Sequence, residues 1–105
     1  MSNNVVKLHD AEVYTRLQSL SSWIVSDGEL QREFSLPSFP SAIFFVDAIA
    51  HLAELAAHHP DIHIFYNRVI INLATHSVGG ITEKDFALAQ SIDVLWRSFD
   101  EQSTP

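Results

Sequence analysis

Residues 37–75 read PSFPSAIFFVDAIAHLAELAAHHPDIHIFYNRVIINLAT, and the change of texture at Pro60 decides the fold. Pro37 and Pro40 bracket a helix start, with Ser38 or Ser41 available as N-cap. A serine hydroxyl accepts a hydrogen bond from an unpaired first-turn N–H, and a proline in that turn has no N–H to satisfy. Ile43 to His58 is then dense in Ala, Leu, Ile and Phe until Pro60, which cannot continue a helix, stops it. Beyond the proline Ile62, Ile64 and Tyr66 alternate, and after Asn67-Arg68 the run Val69 to Thr75 is rich in β-branched residues. Alternation of this kind turns one face of a strand toward a core, so the stretch predicts a helix followed by two strands.

Upstream, the extended run Trp23-Ile24-Val25 meets Ser26-Asp27-Gly28, the strongest turn signal in the chain, and Leu30 to Leu36 alternates as the second arm of a hairpin. Before it, His9 to Leu20 places Val13, Leu17 and Leu20 at helical spacing. Downstream, Gly79-Gly80 breaks the chain and Thr82 caps a new helix with Asp85 as the acid of a capping box. Phe86, Ala89, Ile92, Leu95 and Trp96 then recur at helical spacing. The order α-β-β-α-β-β-α predicts an α+β two-layer sandwich, a four-stranded antiparallel sheet with three helices on one face. Its other face is expected to need a cover. One domain over 1–105 is expected, with short flexible tails at about 1–7 and 100–105.

Composition narrows the function. The chain has 105 residues, 47% of them hydrophobic and none of them cysteine, so a single core holds it without disulfides or thiolate metal sites. Oligomerisation is a natural expectation for a domain this small. Six basic against 13 acidic residues give a net charge of -7, which opposes the phosphate neutralisation that nucleic-acid binding depends on. The N-terminus lacks the pattern of a signal peptide, and no apolar run approaches the roughly 20 residues that span a bilayer, so a soluble, cytoplasmic protein is expected.

The chemistry gathers around histidines. Extending the central helix to His58 puts His51, Glu54 and His58 on one side of it and turns His59 elsewhere. His76 comes at the end of the last predicted strand and returns to the same rim if that strand lies beside the helix end. Each residue also has a plainer reading: His58 or His59 as helix C-terminal caps, Asp85 as a capping acid only, Glu54 as a solvated helix acid, and Trp23 and Tyr66 as half-buried sheet aromatics. His9, His51 and His63 are taken as surface or structural. A metal site built from His58, His59, Asp61, His63 and His76 is a rival, but adjacent histidines on a helix do not face one ion together.

The set Glu54, His58-His59-Pro60, Tyr66, His76 and Asp85 has, without a gap, the spacing of the pterin-4a-carbinolamine dehydratases, which the chain resembles over nearly its whole length. Trp23, Arg32-Glu33-Phe34, Phe45, Tyr66-Asn67-Arg68-Val69, Thr75-His76 and Gly80-Ile81-Thr82 extend the resemblance. It implies dehydration of 4a-hydroxytetrahydrobiopterin, or a related 4a-hydroxytetrahydropterin, to quinonoid dihydropterin, recycling the pterin of aromatic amino-acid hydroxylases. By the same resemblance no metal or redox cofactor is needed, the fold assembles into homodimers or homotetramers, and a hydroxylase is a possible functional partner. His58 and His76 would be the main acid and base, in an order the sequence leaves open. His59 and main-chain groups beside Pro60 would orient the pterin, Glu54 would stabilise a protonated His58, and Thr75 and Asp85 would line or support the pocket. Ala57 departs from animal members, which carry an acid there. The alternative is a non-catalytic role, as dimerisation partner of a transcription factor or helper of a hydroxylase.

Overall fold

The computed structural model describes residues 5–102, with side chains to residue 99. Helices α1 (Asp10–Leu17), α2 (Phe39–Ala56) and α3 (Glu83–Gln102) alternate with strands β1 (Ile24–Ser26), β2 (Glu29–Ser35), β3 (Asp61–Phe65) and β4 (Arg68–Leu73), and a short 3-10 turn spans His76–Val78. The strands form one antiparallel sheet in the order β1-β2-β4-β3, so the expected α+β architecture and element order are present. Residues 1–4 and 103–105 of the expected tails lie outside the described residues.

The Asp27-Gly28 turn closes the first hairpin with φ of 52° and 75°, backbone that Asp and Gly accept more readily than other residues, and so pairs Ser26 with Glu29. Register then follows the apolar alternation. Leu30 and Phe34 of β2 and Val69, Ile71 and Leu73 of β4 turn to the helices, where they meet Phe45 and Ile49 of α2 and Phe86, Ala89 and Ile92 of α3 in one core cluster. Edge-to-face ring contacts tie the layers, with Phe34 to Phe45 at 4.9 Å, Phe34 to Trp96 at 5.1 Å and Phe45 to Trp96 at 5.3 Å between centroids. Fully burying such a side chain stabilises the fold by about 1.5–3 kcal/mol.

Trp23 is buried rather than half-buried and precedes β1. Its indole N–H donates to Asp93 Oδ1 at 2.8 Å, and Arg32 Nη1 donates to the same oxygen at 2.7 Å. The Arg32 guanidinium also lies over the Phe34 ring at 4.4 Å, so a charge on the helix side of β2 is paired and stacked at once. Tyr66 is not a sheet residue either: it sits in the β3–β4 turn at φ 55° and is 71% exposed.

The outer sheet face is less apolar than expected. Asn72 donates to Glu29 Oε1 and accepts from Gln31 Nε2, a polar ladder across β2 and β4 that water can wet. Uncovered apolar surface also lies on α2, where Phe44 is 70% and Leu55 87% exposed. The 18 residues of α2 have a mean hydropathy of 1.4, which by length and composition alone would let it cross a membrane. Here its Ala42, Phe45, Ile49 and Ala53 face pack into the domain core.

Candidate active site

The site begins where α2 ends. Ser38 caps its start by accepting from Ser41 N at 3.2 Å, but it ends at Ala56, two residues before the expected His58. Ala57 adopts φ 51° and ψ 40°, left-handed backbone that favours glycine, and His58 N–H bonds back to Ala53 O while Ala57 N–H bonds to Glu54 O. This is a Schellman exit with alanine in the position glycine usually takes. It swings the chain off the helix axis before either histidine, so helical spacing no longer relates Glu54 to His58.

The consequence corrects the expected pairing. Glu54 Oε2 meets His59 Nε2 at 2.7 Å, not His58, and His51 lies near Asp47 at 3.8 Å rather than joining them. His58 turns inward: its Nε2 lies 2.5 Å from Asp85 Oδ1, with the histidine side chain 11% and the aspartate side chain 0% exposed.

Asp85 does more than cap α3. Its Oδ2 accepts from Thr82 N–H at 2.9 Å, closing the capping box of α3, and from Thr75 Oγ1 at 2.9 Å. Thr82 Oγ1 accepts from Lys84 N at 3.2 Å and lies 2.8 Å from Thr75 Oγ1. Hydroxyl protons therefore run from Thr82 to Thr75 to the carboxylate. An ionised Asp85 accepts at Oδ1 from a His58 ring protonated at Nε2, the tautomer that leaves Nδ1 for other partners. No described buried side-chain polar atom is left without a partner.

His76 opens the 3-10 turn just after Thr75, two residues beyond the end of β4. Thr75 and Gly80 pair across that turn, with Thr75 N–H donating to Gly80 O at 2.8 Å. His76 is exposed. Its neighbour Thr75 and His58 grip opposite oxygens of the Asp85 carboxylate, but no described hydrogen bond or ion pair ties the His76 side chain to that network. His9 and His63 are also exposed, and among the described residues no group of three or more His, Asp or Glu side chains has the arrangement of a metal site. An open groove of about 380 Å³ runs beside His58 between α2 and α3, walled by Leu52, Leu55, Ala56, Ala87 and Leu88 and bordered by Lys84. Its size suits a small ligand.

The left-handed Ala57 and the Thr75–Thr82 hydroxyl link were not deducible from local pattern. Glycine or asparagine at 57 would have signalled the exit, and alanine does not.

A family model described as pterin 4 alpha carbinolamine dehydratase matches residues 6–95. A relative from Roseiflexus sp. (strain RS-1), provisionally named pterin-4-alpha-carbinolamine dehydratase, is 52% identical over 89 residues, covering 85% of this chain and 96% of its own length. One from Aquifex aeolicus (strain VF5), named in the same way, is 45% identical over 91 residues, covering 87% and 92%. Among solved structures, a transcriptional coactivator/pterin dehydratase from Brucella melitensis superposes with a TM-score of 0.81 at 34% identity, over 86% of this chain and 98% of that one. A pterin dehydratase-like protein identified as a RuBisCO assembly factor in the alpha-carboxysome matches with a TM-score of 0.56 at 28% identity, over 70% and 84%.

Proposed function

The chain belongs to the pterin 4 alpha carbinolamine dehydratase family, and from that membership we propose that it dehydrates 4a-hydroxytetrahydrobiopterin, or a closely related 4a-hydroxytetrahydropterin, to quinonoid dihydropterin and water. The reaction breaks the C4a–O bond. It delivers a proton to the departing oxygen and removes one from N5, so water leaves and a C4a–N5 double bond forms with no net redox change. Imidazoles suit both transfers, each typically worth about 10²- to 10⁴-fold.

The observation that carries this reading is the buried Asp85 holding His58 by Nε2. A carboxylate in that position fixes the ring's tautomer and orientation and stabilises the imidazolium that forms when Nδ1 takes a proton. His58 and His76 act as the acid–base pair, and His59 with the main chain beside Pro60 orients the pterin. Glu54 acts on His59, and Thr75 and Asp85 act on His58. The apolar outer face of α2 supports assembly as a homodimer or homotetramer. A cytoplasmic protein working beside a hydroxylase that generates the 4a-hydroxy substrate completes the proposal.

The test is the rate of quinonoid dihydropterin formation from freshly generated 4a-hydroxytetrahydropterin, with and without the protein, in the presence of a chelator. Acceleration that persists with chelator supports cofactor-free acid–base dehydration. No acceleration by folded protein would move the chain to a binding role, the kind named for the assembly-factor relative.

A further inference from the structure

A second cavity, larger than the groove beside His58, borders none of His58, His59 or His76. It is a cleft of about 580 Å³ between α1, the β1–β2 hairpin and the Gly79-Gly80 turn. Val13, Tyr14 and Leu17 line it from α1, and Ile24 and Val25 line it from β1. Three of these are large apolar side chains left open to water, Tyr14 at 73%, Ile24 at 56% and Val25 at 43% exposure. Isolated exposed apolar residues are ordinary, but their convergence on one concave surface of ligand size is not.

Two opposite charges stand on the same cleft. Lys7 and Asp10 both line it, and neither makes an ion pair within 4 Å among the described residues. The lysine is placed by a specific feature. Gly80 has no positive φ that would call for glycine, yet a Cβ built on it would lie 2.6 Å from Lys7 Cε and 2.8 Å from Cδ. Glycine there clears the path along which the lysine stem lies, and Leu8 N–H bonds to Ile81 O at 2.9 Å to hold the segment in place.

We propose that this cleft is a second binding site, for a zwitterionic amino acid with an aromatic or large apolar side chain. The side chain fills the space between Tyr14 and the Ile24-Val25 wall, the carboxylate faces Lys7 and the ammonium faces Asp10. A simple amine leaves Lys7 unanswered, a simple acid leaves Asp10 unanswered, and a zwitterion answers both.

L-phenylalanine titrated into the full chain, followed by calorimetry and by amide shifts in NMR, tests this. Saturable binding is expected, with phenethylamine and 3-phenylpropionate each weaker by about fivefold, the scale of one partly exposed charge contact. Lys7→Gln should lower L-phenylalanine affinity by about the same factor without altering phenethylamine. Gly80→Ala should do likewise while keeping the charge, because its methyl group displaces only a flexible stem. Asp10→Asn should erase the advantage over 3-phenylpropionate, and His58→Ala should change nothing, which separates this site from the proposed dehydratase site. Absence of saturation in the millimolar range with folded protein, or binding indifferent to both Lys7→Gln and Asp10→Asn, overturns the proposal.

Discussion

His58 and His59 are neighbours in the chain, and each meets a carboxylate through Nε2, yet the two pairs lie in different media. The His58–Asp85 side chains are 11% and 0% exposed, and those of His59–Glu54 are 67% and 75%. The Asp85 carboxylate is also gripped by Thr75 and Thr82, whereas the only other described tie on Glu54 is its place in α2. Burial removes the water that would otherwise compete for Asp85, so the loss of one partner there leaves the others unsatisfied. At Glu54 water replaces whatever is lost. One helix exit thus produces a rigid pair and a soft one.

Removing Asp85 is the largest blow. Asp85→Ala deprives Thr82 N–H, Thr75 Oγ1 and His58 Nε2 of an acceptor in a site closed to water, and should cost about 3–5 kcal/mol, measured by urea unfolding. That is a large part of the roughly 5–15 kcal/mol that holds a domain of this size. A loss below about 1 kcal/mol would mean that water reaches the network, and the contrast with Glu54 would collapse.

His76 separates chemistry from stability. It is exposed, and no described side chain bonds its ring, so His76→Ala should leave the unfolding free energy within about 0.5 kcal/mol of the parent. Dehydration should slow by about two orders of magnitude, as the loss of one acid–base group does. A folded variant of undiminished activity removes His76 from the mechanism.

Ala57 is the pivot between the two pairs. Its left-handed backbone costs a residue with a Cβ about 1–2 kcal/mol, part of which glycine forfeits again by its greater freedom when unfolded. Ala57→Gly should therefore stabilise the chain by up to about 1 kcal/mol without altering which carboxylate each histidine meets. Destabilisation would show that the exit is not left-handed in solution, and helical spacing would again relate Glu54 to His58.

That pivot also marks where the sequence stopped being legible. The strands were readable because Ile62 and Ile64, then Val69, Ile71 and Leu73, alternate against one core, and Asp27-Gly28 and Ser38 announce a turn and a cap in residue types that do little else. The candidate site residues were readable as a spacing, but their partners were not. Helical periodicity was carried two residues too far because Ala57 looks like any helix residue, and that single error joined Glu54 to the wrong histidine. The true partner of His58 is 27 residues away, brought there by the packing of α2 on α3, and no local rule reaches that distance. Tyr66 misled in the opposite sense: alternation extended into it, although the strand ends at Phe65 and the tyrosine turns the corner.

The smallest effect probes the soft pair directly. In a cycle of Glu54→Gln, His59→Ala and the double variant, the coupling between the two side chains should be about 0.2–1 kcal/mol, the range for solvent-exposed ion pairs. It should shrink further with added salt, because exposed charges are screened over a Debye length of about 8 Å at physiological ionic strength. A coupling above about 2 kcal/mol that resists salt would mean that His59 and Glu54 are covered in solution. Since both are open to water in the single chain, the cover would have to come from a neighbouring subunit, and the apolar outer face of α2 that carries Phe44 and Leu55, adjoining Glu54, is where it would dock. The same cycle measured on rate then separates orientation from support: a Glu54→Gln variant with a raised KM and unchanged kcat places His59 in uniform pterin binding, and a lowered kcat at constant KM places it in the transition state with His58.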